Sequence, residues 1–88
     1  MIRRRVIVHG RVQGVFFRDS VRERAQSRGV AGWVRNRDDG TVEAAFEGTG
    51  DDVEALVRFC GDGPGRADVD RIDVLDEEPL GDEGFEVR

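Results

Sequence analysis

Cysteine, histidine and lysine are scarce or missing in this chain of 88 residues. Cys60 is the only cysteine, so no disulfide can form within the chain. His9 is the only histidine, so the usual Cys/His ligand set of a zinc site cannot be assembled. We expect Cys60 to be a small buried side chain on a helix rather than a catalytic thiolate. We expect His9 to be a half-exposed strand residue rather than a general base.

Long apolar runs are absent as well. No stretch approaches the ~20 apolar residues that a membrane span needs. The N-terminal segment MIRRRVIVHG contains only a three-residue apolar run after its arginines, and it lacks the small-residue cleavage site of a signal peptide. These features predict a single domain over residues 1–88, located in the cytoplasm and not associated with a membrane.

Charge is divided unevenly along the chain. Residues 1–37 hold ten arginines against two carboxylates, a net charge of +8. Residues 38–88 hold four arginines against seventeen carboxylates, a net charge of −13, so the whole chain carries −5. A GC-rich genome replaces lysine with arginine but does not require this carboxylate excess. An acidic surface without lysine is also typical of adaptation to high salt, and both explanations remain open.

Hydrophobic periodicity predicts alternating strands and helices. Alternating apolar residues predict strands within the segments 5–12, 30–37, 41–47 and 67–78, and a short last strand at 85–88. Helical spacing predicts one helix over 18–28, with Ser20 and Glu23 at the spacing of a capping box. Val53, Leu56, Val57 and Cys60 recur at the spacing of a second helix. The apolar phase shifts between Val69 and Ile72, which predicts a β-bulge there.

The resulting order is β-α-β-β-α-β. Helices inserted between strands in this order cover one face of a sheet, which predicts a ferredoxin-like two-layer α/β sandwich of the α+β class. The sheet is expected to be mainly antiparallel with four strands, and the short C-terminal strand would be a fifth. This fold hosts many functions and therefore identifies none.

The segment GRVQGVFFR, residues 10–18, joins the first strand to the first helix. A strand-to-helix connection with a glycine can direct several backbone N–H groups into one concavity, and the first N–H groups of a helix lack internal partners. Arg18 adds a planar cation that matches phosphate oxygens. Taken alone, the segment is better explained as an ordinary strand-to-helix connection.

The segment GWVRNRDDGTVE, residues 32–43, carries a second candidate, Asn36, near the end of the second strand. Asn36 shares a strand face with Gly32 and Val34, and Trp33 shares the opposite face with Arg35. The register of the hairpin decides which of these faces is buried, and the sequence leaves it open. In isolation, Asn36 is better explained as a turn residue before RDDG.

The two segments together resemble the signatures of the acylphosphatase family, and GPGRADVDRI at residues 63–72 resembles a weaker third block. The resemblance extends over essentially the whole chain. The last strand, FEVR, lacks the tyrosine that usually ends the family pattern. The family hydrolyses acyl phosphates, the mixed anhydrides of a carboxylic acid and phosphate, without metal or cofactor.

The resemblance implies specific roles for residues of this chain. Arg18 matches the arginine that binds the substrate phosphate, and Asn36 matches the asparagine that orients the attacking water. The phosphate-binding loop corresponds to the backbone of Gln13, Gly14, Val15, Phe16 and Phe17. The implied partners are a small acyl phosphate substrate and inorganic phosphate, which is both product and inhibitor. The enzyme is expected to be a monomer that binds no nucleic acid.

Two other functions are alternatives to acyl phosphate hydrolysis. RNA-recognition domains share the strand and helix order, but they stack bases on aromatic residues of the two central strands. Here those strands offer only Phe46, whose spacing with Val42 and Ala44 predicts a core residue, and the net charge opposes binding to a phosphate backbone. The chain could also be a regulatory or carbamoyl-phosphate-handling module of a larger assembly that has kept the site.

Overall fold

The computed structural model describes residues 1–88 as two helices packed on one five-stranded sheet. In chain order the elements are β1 (Ile2–Arg11), α1 (Phe17–Ser27), β2 (Ala31–Asn36), β3 (Val42–Gly48), α2 (Gly50–Asp62), β4 (Asp68–Glu77) and β5 (Phe85–Val87). The strands are arranged β4-β1-β3-β2-β5, and all neighbours are antiparallel except β2 and β5, which are parallel. The predicted ferredoxin-like fold is confirmed, including the fifth strand.

The core lies between the helices and one face of the sheet. Alternate residues of the two central strands point into it, and these residues are Val6, Val8, Val42, Ala44 and Phe46. Phe46 is fully buried, as its spacing predicts. Cys60 on α2 belongs to the same core, where burial raises the pKa of its thiol to about 12. Its interpretation as a packing residue is therefore confirmed.

The opposite face of the sheet has no helix on it and is charged. Here the arginines of β1 meet carboxylates from the second half of the chain. The guanidinium of Arg3 lies 3.1 Å from Glu47, 3.2 Å from Glu77 and 2.8 Å from Asp82. The uneven charge of the sequence is thus partly balanced across the sheet. His9 is also half-exposed on this face, with its Nε2 2.9 Å from a carboxylate oxygen of Asp73.

Two local details test the sequence predictions. The expected bulge in β4 is confirmed, because His9 pairs with Arg71 whereas Gly10 pairs with Val69. The expected capping box is wrong, because α1 begins at Phe17 without a side-chain cap and Ser20 lies inside the helix. The chain enters the helix through a left-handed residue, which starts the helix earlier than a Ser20 cap would. Neither helix is long and apolar enough to cross a membrane.

Candidate active site

The loop between β1 and α1 contains two residues in the left-handed region. Gly14 has φ 74° and Phe16 has φ 60°. A Cβ atom at Gly14 would meet no other atom within 4 Å, so the backbone conformation, and not lack of space, favours glycine there. Together these two residues turn the chain sharply from the end of β1 into the first turn of α1.

This turn leaves a run of backbone donors without partners. The N–H groups from Gln13 to Asp19 donate no hydrogen bond to any backbone carbonyl, and no side chain caps α1. The N-terminal N–H groups of a helix carry partial positive charge, which favours an anion next to them. The loop therefore has the properties of an anion-binding site of phosphate size.

The side chain of Gln13 holds this loop against the hairpin between β2 and β3. Its Nε2 donates to the carbonyl oxygens of Arg37 at 2.8 Å and Thr41 at 2.9 Å. Both bonds span more than twenty residues of sequence, so they fix the loop relative to the end of β2. Gln13 thus contributes its side chain to positioning as well as its backbone to the loop.

Arg18 stands on the first turn of α1 beside the loop. Its guanidinium pairs with no Asp or Glu side chain, and its one hydrogen bond is a long one of 3.4 Å from Nη1 to the main-chain oxygen of Arg88. The two arginines that flank Asn36 differ: Arg35 is paired with Glu43 at 2.6 Å, and Arg37 lies 3.6 Å from Asp39. Arg18 therefore keeps most of its donors available for a ligand.

Asn36 ends β2 on the face that the helices cover. It pairs with Val42, and on its own strand it shares a face with the buried residues Gly32 and Val34. Its side-chain oxygen Oδ1 is buried and has no hydrogen-bond partner. An unpaired buried acceptor costs about 1–3 kcal/mol, so this atom favours a bound donor such as a water molecule.

One cavity of about 240 Å³ brings most of these groups together, but Gln13 and Val15 do not line it. It is lined by Gly14, Phe16, Phe17, Arg18 and Asn36, and by three residues that the sequence did not predict: Val12, Asp19 and Val87. Val87 could not be found from sequence, because it reaches the site only through the pairing of β5 with β2. Asp19, which follows Arg18 directly, lies 3.5 Å from Arg22 and so carries a partly balanced charge.

No group of three or more His, Cys, Asp or Glu side chains is placed to hold a metal ion. The polar side chains on the cavity are a guanidinium, a carboxamide and the Asp19 carboxylate. This set can bind a phosphoryl group by charge and by backbone donors, and it can accept a hydrogen bond from a water molecule at Asn36 Oδ1. It contains no side chain that acts as a strong base at neutral pH.

The chain is similar to known proteins over nearly its whole length. The Acylphosphatase family model matches residues 4–87. An acylphosphatase from Haloarcula marismortui is 59% identical over 86 residues, which cover 98% of this chain and 94% of that protein. The crystal structure of acylphosphatase from Bacillus subtilis is 39% identical, with a TM-score of 0.95, 100% of this chain and 99% of that chain covered. The structure of HypF from T. kodakarensis is 32% identical with a TM-score of 0.84, and 100% of this chain but 12% of that chain is covered.

Proposed function

The chain belongs to the acylphosphatase family and hydrolyses acyl phosphates, and we propose that its 13–18 loop and Arg18 hold the substrate phosphate while Asn36 orients the attacking water. The observation that carries these roles is the convergence of three unpartnered groups on one cavity. These are the backbone donors of the loop, the unpaired guanidinium of Arg18 and the buried Oδ1 of Asn36.

The chemistry of the substrate fits this arrangement. The carboxylate of an acyl phosphate is a good leaving group, so the reaction needs no strong general acid. The barrier is then lowered by positioning the water and by stabilising the charge on the phosphoryl oxygens. The loop N–H groups and Arg18 supply that stabilisation, and Asn36 holds the water but does not deprotonate it. We propose that no metal ion or cofactor takes part.

The oligomeric state, the ligands and the location of the enzyme also belong to this proposal. We infer that the enzyme is a single domain over residues 1–88 that acts as a monomer on a small-molecule substrate, because most of the proposed site residues of a single chain already line one cavity. Inorganic phosphate is expected to bind the same loop as product and inhibitor. The single cysteine fits a cytoplasmic location, and the net charge of −5 fits the absence of a nucleic-acid partner.

A larger assembly is the second candidate, since the chain is also similar to part of HypF. The free enzyme is the better supported of the two. The chain is 59% identical to the Haloarcula marismortui acylphosphatase and 39% identical to the Bacillus subtilis structure, but 32% identical to the HypF structure.

Hydrolysis of benzoyl phosphate tests the proposed mechanism. We expect the same kcat with and without a chelator such as EDTA, and competitive inhibition by inorganic phosphate. Loss of activity in EDTA that Mg²⁺ restores would contradict the metal-free mechanism. Non-competitive inhibition by phosphate would contradict binding of substrate and product at one loop.

A further inference from the structure

Phe16 combines two features that folding alone does not favour. Its side chain is 79% exposed, and it is the only non-glycine residue in the chain with a positive φ, at 60°. Glycine adopts this conformation readily, whereas a bulky side chain rarely does. Glycine at position 16 would therefore satisfy the backbone of the loop better than phenylalanine does.

The core does not explain the side chain of Phe16 either. The neighbouring Phe17 is 2% exposed and belongs to the core cluster, whereas Phe16 is outside it and stacks on no other aromatic ring. Of the exposed large apolar residues of the chain, Phe16 alone lines the cavity that holds Arg18 and Asn36. Its side chain is thus placed at the edge of the proposed active site.

An acyl phosphate has two parts with opposite requirements. The phosphate needs donors and positive charge, which the loop and Arg18 provide, and it gains nothing from apolar surface. The acyl group gains free energy when its apolar surface is covered. Half of the eight residues that line the cavity are hydrophobic, namely Val12, Phe16, Phe17 and Val87, and Phe16 is the most exposed of them.

We propose that the side chain of Phe16 binds the acyl group of the substrate and gives this enzyme a preference for aromatic over small acyl groups. This inference rests on the proposed placement of the phosphate at the 13–18 loop. An aromatic acyl group stacks on the exposed ring, whereas an acetyl group is too small to cover it. Stacking of this kind corresponds to about a three- to tenfold advantage in kcat/KM.

The test compares benzoyl phosphate with acetyl phosphate in the wild type and in three variants. Phe16→Asn removes the apolar ring and introduces a residue that tolerates the left-handed backbone, and Phe16→Ala removes the ring alone. Phe16→Trp keeps a large aromatic surface. We expect the ratio of kcat/KM for benzoyl over acetyl phosphate to fall about three- to tenfold in the Asn and Ala variants, and to be retained in the Trp variant.

Leu80→Ala is the matched control, because Leu80 is 71% exposed but does not line the cavity. The ratio should not change in this variant. A ratio that stays constant in Phe16→Asn and Phe16→Ala, or a loss that is equal for both substrates, would overturn the proposal, since equal loss indicates a role in loop conformation only. The inhibition constant of phosphate, measured alongside, reports whether the loop still binds its anion. If the wild type hydrolysed neither substrate, the proposed function itself would fail.

Discussion

The structure predicts in most detail what the loss of the Arg18 guanidinium does to activity. The side chain pairs with no Asp or Glu, and its one hydrogen bond, at 3.4 Å, goes to the main-chain oxygen of Arg88, so Arg18→Ala disturbs few polar interactions within the protein. What it removes is the fork that binds phosphate oxygens. Charge-assisted hydrogen bonds contribute about 1.5–3 kcal/mol each, so loss of two lowers kcat/KM by roughly two to four decades.

The phosphate is bound in both the ground state and the transition state, so Arg18→Ala should raise the inhibition constant of phosphate as well as lower kcat. Arg18→Lys keeps the charge but not the planar fork and should recover little activity. Arg28→Ala, which removes another exposed arginine near the far end of α1, is the control and should behave like the wild type.

Substitution of Asn36 should have a different effect from substitution of Arg18 in the same assay. Its Oδ1 is buried and unpaired beside the cavity, so Asn36→Ala removes the contact to the water and leaves the phosphate loop intact. We expect kcat to fall by about two to three decades while the inhibition constant of phosphate stays near that of the wild type. Asn36→Asp should also fail, because a carboxylate there repels the substrate phosphate. Wild-type kcat in Asn36→Ala, or weakened phosphate binding equal to that of Arg18→Ala, would refute this division of roles.

Three further predictions concern stability and reactivity. Molar KCl should raise the midpoint of thermal unfolding by screening the carboxylates of residues 38–88, and a flat or falling midpoint would contradict adaptation to high salt. The backbone N–H of Leu80 and the guanidinium of Arg3 hold the pKa of Glu47 below its usual range. The stability that Glu47 contributes is therefore present above about pH 4.3 and is lost as the pH falls through its lowered pKa. In urea unfolding, Glu47→Gln should lose about 1.5–3 kcal/mol at pH 7 and a smaller amount at pH 3; an equal loss at both would contradict this. Cys60 should resist thiol reagents in the native protein at pH 8, and rapid labelling without unfolding would contradict its burial.

The order of elements could be predicted because it depends on local patterns. Alternating apolar residues in β1 and β3 and the helical spacing of Val53, Leu56 and Cys60 each indicate one element and one buried face. The bulge in β4 was visible for the same reason, as a change of phase within a single strand. The start of α1 could not be predicted, since a left-handed phenylalanine before the helix has no local sequence signal.

The site could be predicted only in part, because its residues meet through long-range pairing. The side of the sheet on which Asn36 lies follows from its pairing with Val42, which periodicity alone does not reveal. The contribution of Val87 depends on a parallel pairing between β5 and β2. The binding of Glu47 by the backbone of residues 80–82 likewise depends on a loop that folds back over the end of the sheet.

We propose that the loop backbone and Arg18 bind phosphate at one place. A titration of ¹⁵N-labelled protein with inorganic phosphate, followed by NMR of the backbone amides, tests it most directly. The largest shift changes should fall on the amides of residues 13–19, which donate to no backbone carbonyl in the protein, and they should weaken sharply in Arg18→Ala. Shift changes centred on another surface, such as the arginines around Trp33, would contradict the account.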